Sequence, residues 1–215
     1  MSKASKIFHV DNPLNRFLYK AGCIVLLNIC FVLCCIPVVT IGAAITGMSG
    51  VCYKMKEEPD VKIIPTFFKT FASNFINSTL VWIICAGILS AAIYFFWVGM
   101  TTGGKSYMAV CVICIIVGII VLIEMTYVFM LLARYDNPIL KHISNAFIVG
   151  FVNLFKTLGI WLIWAVPIGV FVFFPSLLKY IGWIWGMFGF ALLSYIVTGI
   201  YRKIFRMFDG QGDDE

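Results

Sequence analysis

Residues 21–53 read AGCIVLLNICFVLCCIPVVTIGAAITGMSGVCY, an apolar run that contains no charged residue. A helical membrane span needs about 20 residues, so this run is too long for one upright span and barely long enough for two. Pro37 lies near its centre and lacks the N–H that an interior helical position requires. We therefore expect a helix break at Pro37 and Gly42, with the chain turning back. A single kinked span and a re-entrant hairpin are the alternatives.

The whole chain has the composition of a membrane protein. Of its 215 residues, 62% are apolar and 12% are charged, and the mean hydropathy is +1.00. Soluble domains average about 45–50% apolar and about 25% charged residues. These values exclude a water-soluble enzyme and a nucleic-acid-binding module. Further apolar stretches lie at 75–98, 107–133, 157–174 and 181–201. The sequence thus predicts an all-α polytopic membrane protein, a single domain over 1–215 with five to six membrane segments in three helical hairpins.

The basic residues predict the orientation of these hairpins. If residues 21–53 turn back, fourteen of the sixteen Lys and Arg residues lie on one face, and only Lys105 and Lys179 lie on the other. Basic residues concentrate on the cytoplasmic side of a membrane. We therefore expect a multi-pass protein of the plasma membrane with both termini in the cytoplasm. The predicted cytoplasmic parts are the N-terminal segment 1–19, the loops 54–74 and 134–156, and the acidic tail 206–215.

Both of the cytoplasmic loops contain phenylalanines at helical spacing, with polar residues around the rest of the turn. Such amphipathic helices lie in the lipid headgroup layer, or they form docking surfaces for a cytoplasmic partner. Both interpretations stand at this point. The candidate docking residues are Phe67, Phe68, Lys69, Phe71, Arg134, Lys141, Phe147 and Phe151.

Three polar residues inside the predicted spans are candidates for an intramembrane polar site. Glu124 is ten residues before Arg134, which places it about 15 Å into the membrane at about 1.5 Å per residue. A charge there is costly, so this carboxyl faces the protein interior, water or a partner, or is protonated. It is either an anchor in a substrate or proton path or a neutral structural hydrogen-bonding group. Asn28 is predicted to bond across helices, and Thr40 to satisfy backbone groups freed at Pro37.

Small residues mark sites of close helix packing. Gly42, Thr46 and Gly50 recur at every fourth position, as do Gly182 and Gly186. Such faces allow close helix approach in lipid, either within one chain or against another subunit.

Residues 99–106, GMTTGGKS, satisfy the pattern of a phosphate-binding loop. That loop requires a preceding strand and a following helix that together cradle phosphate. Here the string follows an aromatic run and precedes another span, so it predicts a glycine-rich turn that binds no nucleotide. The sequence also contains no recognisable group of catalytic residues. His9 and His142 lie in polar segments and lack the spacing of metal ligands. We expect solvated histidines, no cofactor, no metal and no enzymatic activity.

Short internal similarities suggest a duplication. Asp11-Asn12-Pro13-Leu14 resembles Asp136-Asn137-Pro138-Ile139, and Asn74 precedes Trp82 by the same spacing by which Asn153 precedes Trp161. Duplicated helical units are common in membrane proteins. Chance explains matches this short at least as well.

Residues 13–47 resemble the YesL-like membrane proteins, a family defined by a domain of unknown function. The resemblance lies in Asn15, Asn28 and above all Pro37-Val38-Val39-Thr40-Ile41-Gly42-Ala43, and it continues through residues 67–75 and 131–135. It implies a Gram-positive bacterium and an association with carbohydrate-uptake systems, especially oligosaccharide ABC importers. The coupling motif of an importer permease is not found here.

These observations lead to one expected function and two alternatives. The first is a non-catalytic accessory membrane subunit of a carbohydrate ABC importer, bound to its permease and ATPase and surrounded by lipid. The second is a small stand-alone transporter or channel that uses Glu124. The third is a membrane sensor or regulator of carbohydrate uptake, acting through residues 134–156.

Overall fold

The computed structural model describes residues 13–58 and 60–208, and these residues form helices and connecting turns without a strand. Most of the predicted N-terminal segment 1–19 and of the tail 206–215 lies outside the described residues. The helices are α1 (Pro13–Cys35), α2 (Ile41–Glu57), α3 (Ile63–Ser73), α4 (Phe75–Thr102), α5 (Lys105–Arg134), α6 (Ile139–Val152), α7 (Leu154–Phe173), α8 (Pro175–Ile184) and α9 (Phe190–Phe208).

Six segments of the described chain are long and apolar enough to cross a membrane, so the prediction of a polytopic helical membrane protein is confirmed. They are Phe17–Cys35, Val38–Glu57, Phe75–Thr102, Tyr107–Arg134, Leu154–Phe173 and Gly182–Met207. The apolar run 21–53 therefore supplies two of the six segments. Its two helices are joined by a short 3-10 turn, Val38–Thr40, directly after Pro37. The predicted break at Gly42 was wrong, because Gly42 is the second residue of α2 and lies within that helix.

Prolines and glycines mark the helix boundaries for simple steric reasons. Pro13 and Pro175 begin their helices and Pro65 lies in the first turn of α3, positions at which a missing N–H breaks no helical bond. Gly103 and Gly104 join α4 to α5 with φ values of 73° and 100°, which side chains with a Cβ rarely adopt. The string GMTTGGKS thus contains the end of α4, a two-residue glycine turn and the start of α5.

One end of the bundle collects basic side chains from distant parts of the chain. Arg202 donates a hydrogen bond to the carbonyl of Lys56 at 2.8 Å. The Arg134 guanidinium lies over the ring of Phe205, 5.3 Å from its centre, and Lys156 contacts the sulfur of Met207. The ends of α2, α5 and α9 and the start of α7 therefore meet here. We call this the basic end.

The helix α2 forms the centre of the bundle. Its membrane segment is 67% buried, whereas those of α4 and α7 are each 11% buried. Small residues explain the difference, because Gly42, Gly47 and Gly50 allow neighbouring helices to approach the α2 backbone closely. Large side chains complete two apolar cores, one around Tyr127 on α5 and one around Leu27 and Phe67. The outer faces of α4 and α7 are left to lipid or to a membrane partner.

The stretch 181–201, predicted as one span, corresponds to a single membrane segment, Gly182–Met207, but this segment is not one regular helix. Residues Trp185–Gly189 form a π-helical turn between α8 and α9. A π turn shifts the backbone hydrogen bonds and leaves some groups without helical partners. The side chain that satisfies them comes from α1 and is described below.

Candidate functional site

Two side chains donate hydrogen bonds to backbone carbonyls at the helix break around Pro37. The Thr40 hydroxyl donates to the Cys34 carbonyl at 2.5 Å, and Trp82 donates its indole N–H to the Val38 carbonyl at 3.0 Å. Backbone groups in the membrane have no water to bond, so such internal partners are required. Thr40 therefore lies where the sequence analysis expected it to act, and Trp82 is a second partner that the sequence analysis missed.

Asn28 connects α1 to the π turn. Its side-chain nitrogen donates to the carbonyl of Gly186 at 2.6 Å, and its side-chain oxygen accepts from the N–H of Ala191 at 2.8 Å. One fully buried amide thus satisfies an acceptor within the π turn and a donor two residues after it. Asn28 acts across helices as predicted from its type and position, and it stabilises a backbone irregularity.

The first set of predicted small residues packs within the chain. Gly42 contacts the Ser78 carbonyl and the Cβ of Trp82 so closely that a Cβ at position 42 would overlap with them. Gly50 lies against Thr70, and the Thr46 and Ser78 hydroxyls share a hydrogen bond of 2.8 Å. This face of α2 is therefore occupied by α3 and α4. The other set differs, since Gly186 is exposed and has open space around it.

The Asn–Trp spacing that occurs twice in the sequence begins, both times, at a residue that connects two consecutive helices. Asn74 separates α3 from α4 and Asn153 separates α6 from α7, and each side-chain amide donates to the carbonyl four residues earlier. One turn later, Ser78 bonds Thr46 of α2, and Thr157 bonds Tyr127 of α5 at 2.8 Å.

The tryptophans extend this correspondence by one further turn. Trp161 bonds the Thr126 hydroxyl of α5 at 2.9 Å, whereas Trp82 bonds Val38, just before α2. The units α2–α3–α4 and α5–α6–α7 therefore share the order of their helices, an asparagine between the second and third helix, and polar bonds between the first and third helix. This agreement favours a duplicated unit, which the sequence analysis left open.

Glu124 lies on the wall of a cavity of about 410 Å³ between α4, α5 and α6. The side chain is only 8% exposed, and its Oε1 atom has no hydrogen-bond partner among the described residues. Val81, Cys85 and Phe147 contribute to the same, largely apolar wall. A buried, unpartnered acceptor in apolar surroundings is an unusual feature, because native proteins pair nearly all such groups.

The predicted docking residues have different surroundings. Phe68, Lys69, Lys141, Phe147 and Phe151 are exposed, and Phe71 is half-buried. Phe67 is fully buried against Gly47. Its assignment to a docking surface is corrected here, because this ring fills the space that the α2 glycine leaves. Arg134 is also enclosed, with Tyr53 at 4.7 Å and Tyr135 at 5.0 Å from its guanidinium.

The expectation that His142 is solvated was wrong. This residue is 2% exposed, because it lies on the buried side of α6 with Ala146 and Val149. Burial lowers the pKa of the imidazole below its usual value, since a low-dielectric environment disfavours the charged form. Its spacing to Ala146 and Val149, at i+4 and i+7, is the sequence signal that could have revealed this.

Fold and site together define a polytopic α-helical membrane protein whose polar groups serve mainly to join helices. A comparison with family models identifies residues 24–95 as a match to the family described as "Protein of unknown function, DUF624". This family is the YesL-like domain, so the predicted resemblance is confirmed. The matched residues include Asn28, Pro37, Thr40 and Trp82. No curated protein and no solved structure matched the chain in the corresponding comparisons.

Proposed function

We propose that this protein is a non-catalytic accessory membrane subunit of an oligosaccharide ABC importer in the plasma membrane of a Gram-positive bacterium. The YesL-like domain over residues 24–95 is the observation that carries the proposal, since the resemblance implies an association with carbohydrate-uptake systems. The basic end is proposed to face the cytoplasm, in agreement with the distribution of positive charge.

The proposed contacts with permease and ATPase lie near the basic end. The helices α3 and α6 follow α2 and α5 there, and they expose Phe68 and Phe151 together with Lys69 and Lys141. Aromatic side chains anchor many protein interfaces, while flanking charges steer association. The weakly buried outer face of α7 offers additional surface within the membrane.

Affinity purification in a mild detergent, from cells grown on the inducing oligosaccharide, tests this proposal. We expect permease and ATPase to co-purify with the parent protein. The double substitution Phe68→Ser and Phe151→Ser should remove most of them. Phe95→Ser is the control, because Phe95 is at least as exposed as Phe68 and Phe151 but belongs to the second half of α4, away from α3 and α6 in the sequence. Recovery of the protein without any importer component would refute the proposal.

The Glu124 carboxyl lies in a cavity, and its Oε1 atom has no partner among the described residues. This observation favours a second candidate function, a small transporter or channel. Intramembrane carboxyls often mark ion or substrate paths. Reconstitution into liposomes with the Glu124→Gln variant distinguishes this candidate. A solute flux that this substitution abolishes supports it, and the absence of flux, or flux indifferent to the substitution, rejects it.

A further inference from the structure

The cavity between α4, α5 and α6 has the size and position of a binding site for a molecule dissolved in the membrane. Its volume of about 410 Å³ lies within the range of about 300–1,000 Å³ typical of small-molecule sites. Ile84 and Ile88 of α4, Val121 of α5 and Ile143 of α6 provide aliphatic walls. Because α4 and α5 are membrane segments, a ligand for this cavity has an apolar body.

Glu124 gives the cavity one specific recognition group. The side chain is more than nine-tenths buried, and Oε1 lacks a partner among the described residues. The other polar side chains that line the cavity are Cys85 and Ser144, and no Lys, Arg or His contributes to the described lining. The described lining therefore supplies a carboxyl acceptor but no positive charge to complement it, and neither the Ser144 hydroxyl nor the Cys85 thiol bonds to Oε1.

We propose that this cavity binds a lipophilic amine, with its hydrocarbon part against the aliphatic walls and its ammonium group on the Glu124 carboxylate. An ammonium group supplies both a hydrogen-bond donor and a compensating charge. Charge-assisted hydrogen bonds are stronger than neutral ones, and they strengthen further in surroundings of low dielectric constant. An alcohol of the same chain length supplies the donor alone and therefore binds more weakly.

This inference concerns binding, and it does not depend on assembly with an importer. Equilibrium dialysis of radiolabelled decylamine against nanodiscs that contain the full-length protein tests it, with empty nanodiscs to subtract partitioning into lipid. Decanol is the matched neutral ligand. Glu124→Gln removes the charge, and Glu58→Gln makes the same change at an exposed carboxyl outside the cavity.

We expect one saturable decylamine site per protein and an affinity for decylamine about tenfold or more above that for decanol. Glu124→Gln should abolish this preference, whereas Glu58→Gln should leave it intact. Ile84→Trp, which fills the cavity and retains the carboxyl, should weaken binding of both ligands. The proposal is overturned if no saturable component appears, if both ligands bind equally well, or if Glu124→Gln and Ile84→Trp leave decylamine binding unchanged.

Discussion

The Asn28 Oδ1 atom accepts a hydrogen bond from the backbone N–H of Ala191 at 2.8 Å, although 163 positions separate the two residues in the chain. The same amide donates to Gly186, so Asn28 spans the π turn of the last membrane segment. A side chain in the first membrane segment thereby satisfies backbone groups where the last membrane segment is irregular. Several consequences of such polar cross-links can be measured.

Substitution of Asn28 by leucine should destabilise the fold. Both the Ala191 N–H and the Gly186 carbonyl lose their partner in a buried site, and interhelical polar contacts in membranes contribute about 0.6–2 kcal/mol. We expect a lower midpoint of thermal unfolding in detergent. Asn145→Leu, at a half-buried position of α6, is the control. Equal midpoints for Asn28→Leu and the parent would contradict this role.

The indole of Trp82 should stabilise the turn at Pro37. Trp82→Phe keeps an aromatic ring but removes the donor to the Val38 carbonyl, which leaves that carbonyl in the membrane without this partner. We expect a loss of about 1 kcal/mol in unfolding free energy. Trp97→Phe serves for comparison, because Trp97 is 64% exposed. If both substitutions lower the unfolding midpoint equally, the Val38 bond is unimportant.

Burial of His142 should make stability depend on pH. Because burial lowers the pKa of this imidazole in the fold, the unfolded chain binds the proton more readily, starting near the usual pKa of about 6.5. Stability is therefore unaffected above that pH and decreases as the pH falls below it.

The corresponding measurement is a series of melting curves between neutral and acidic pH for the parent protein and His142→Gln. The variant, which cannot titrate at this position, should lose less of its melting temperature on acidification. A parallel decline in both proteins would show that other groups cause the acid sensitivity.

The two ends of the bundle should differ in accessibility from outside the cell. A cysteine at Thr102, beside the turn between α4 and α5, should react with an impermeant maleimide in intact cells. A cysteine at Ser73, at the end of α3, should react only after permeabilisation, because positive charge is retained on the cytoplasmic side. The unsubstituted protein provides the background from its native cysteines. Labelling of Ser73→Cys in intact cells would reverse the proposed orientation.

Much of the architecture could be predicted because its causes are local in the sequence. Hydropathy located the membrane segments, and Pro37, which lacks a backbone N–H, predicted the break that divides residues 21–53 into two helices. The position in the fold also matters, because Pro167 lies inside α7 without ending it. Glycine content alone identified the turn at residues 103–104, where a positive φ is required. The candidate site was harder to predict. The type and depth of Glu124 were evident from the sequence, but the cavity that it lines was not.

The sequence by itself thus determined the helical membrane fold, five to six apolar segments and several of the polar residues that had to find partners within the bilayer. The tertiary structure decided which partners these are: Ala191 for Asn28, Thr157 for Tyr127, and none among the described residues for Glu124 Oε1. It also buried His142 and Phe67, which lie in stretches that resemble surface segments. The physical reason is that helix formation depends on neighbours along the chain, whereas partner choice depends on which helices pack together.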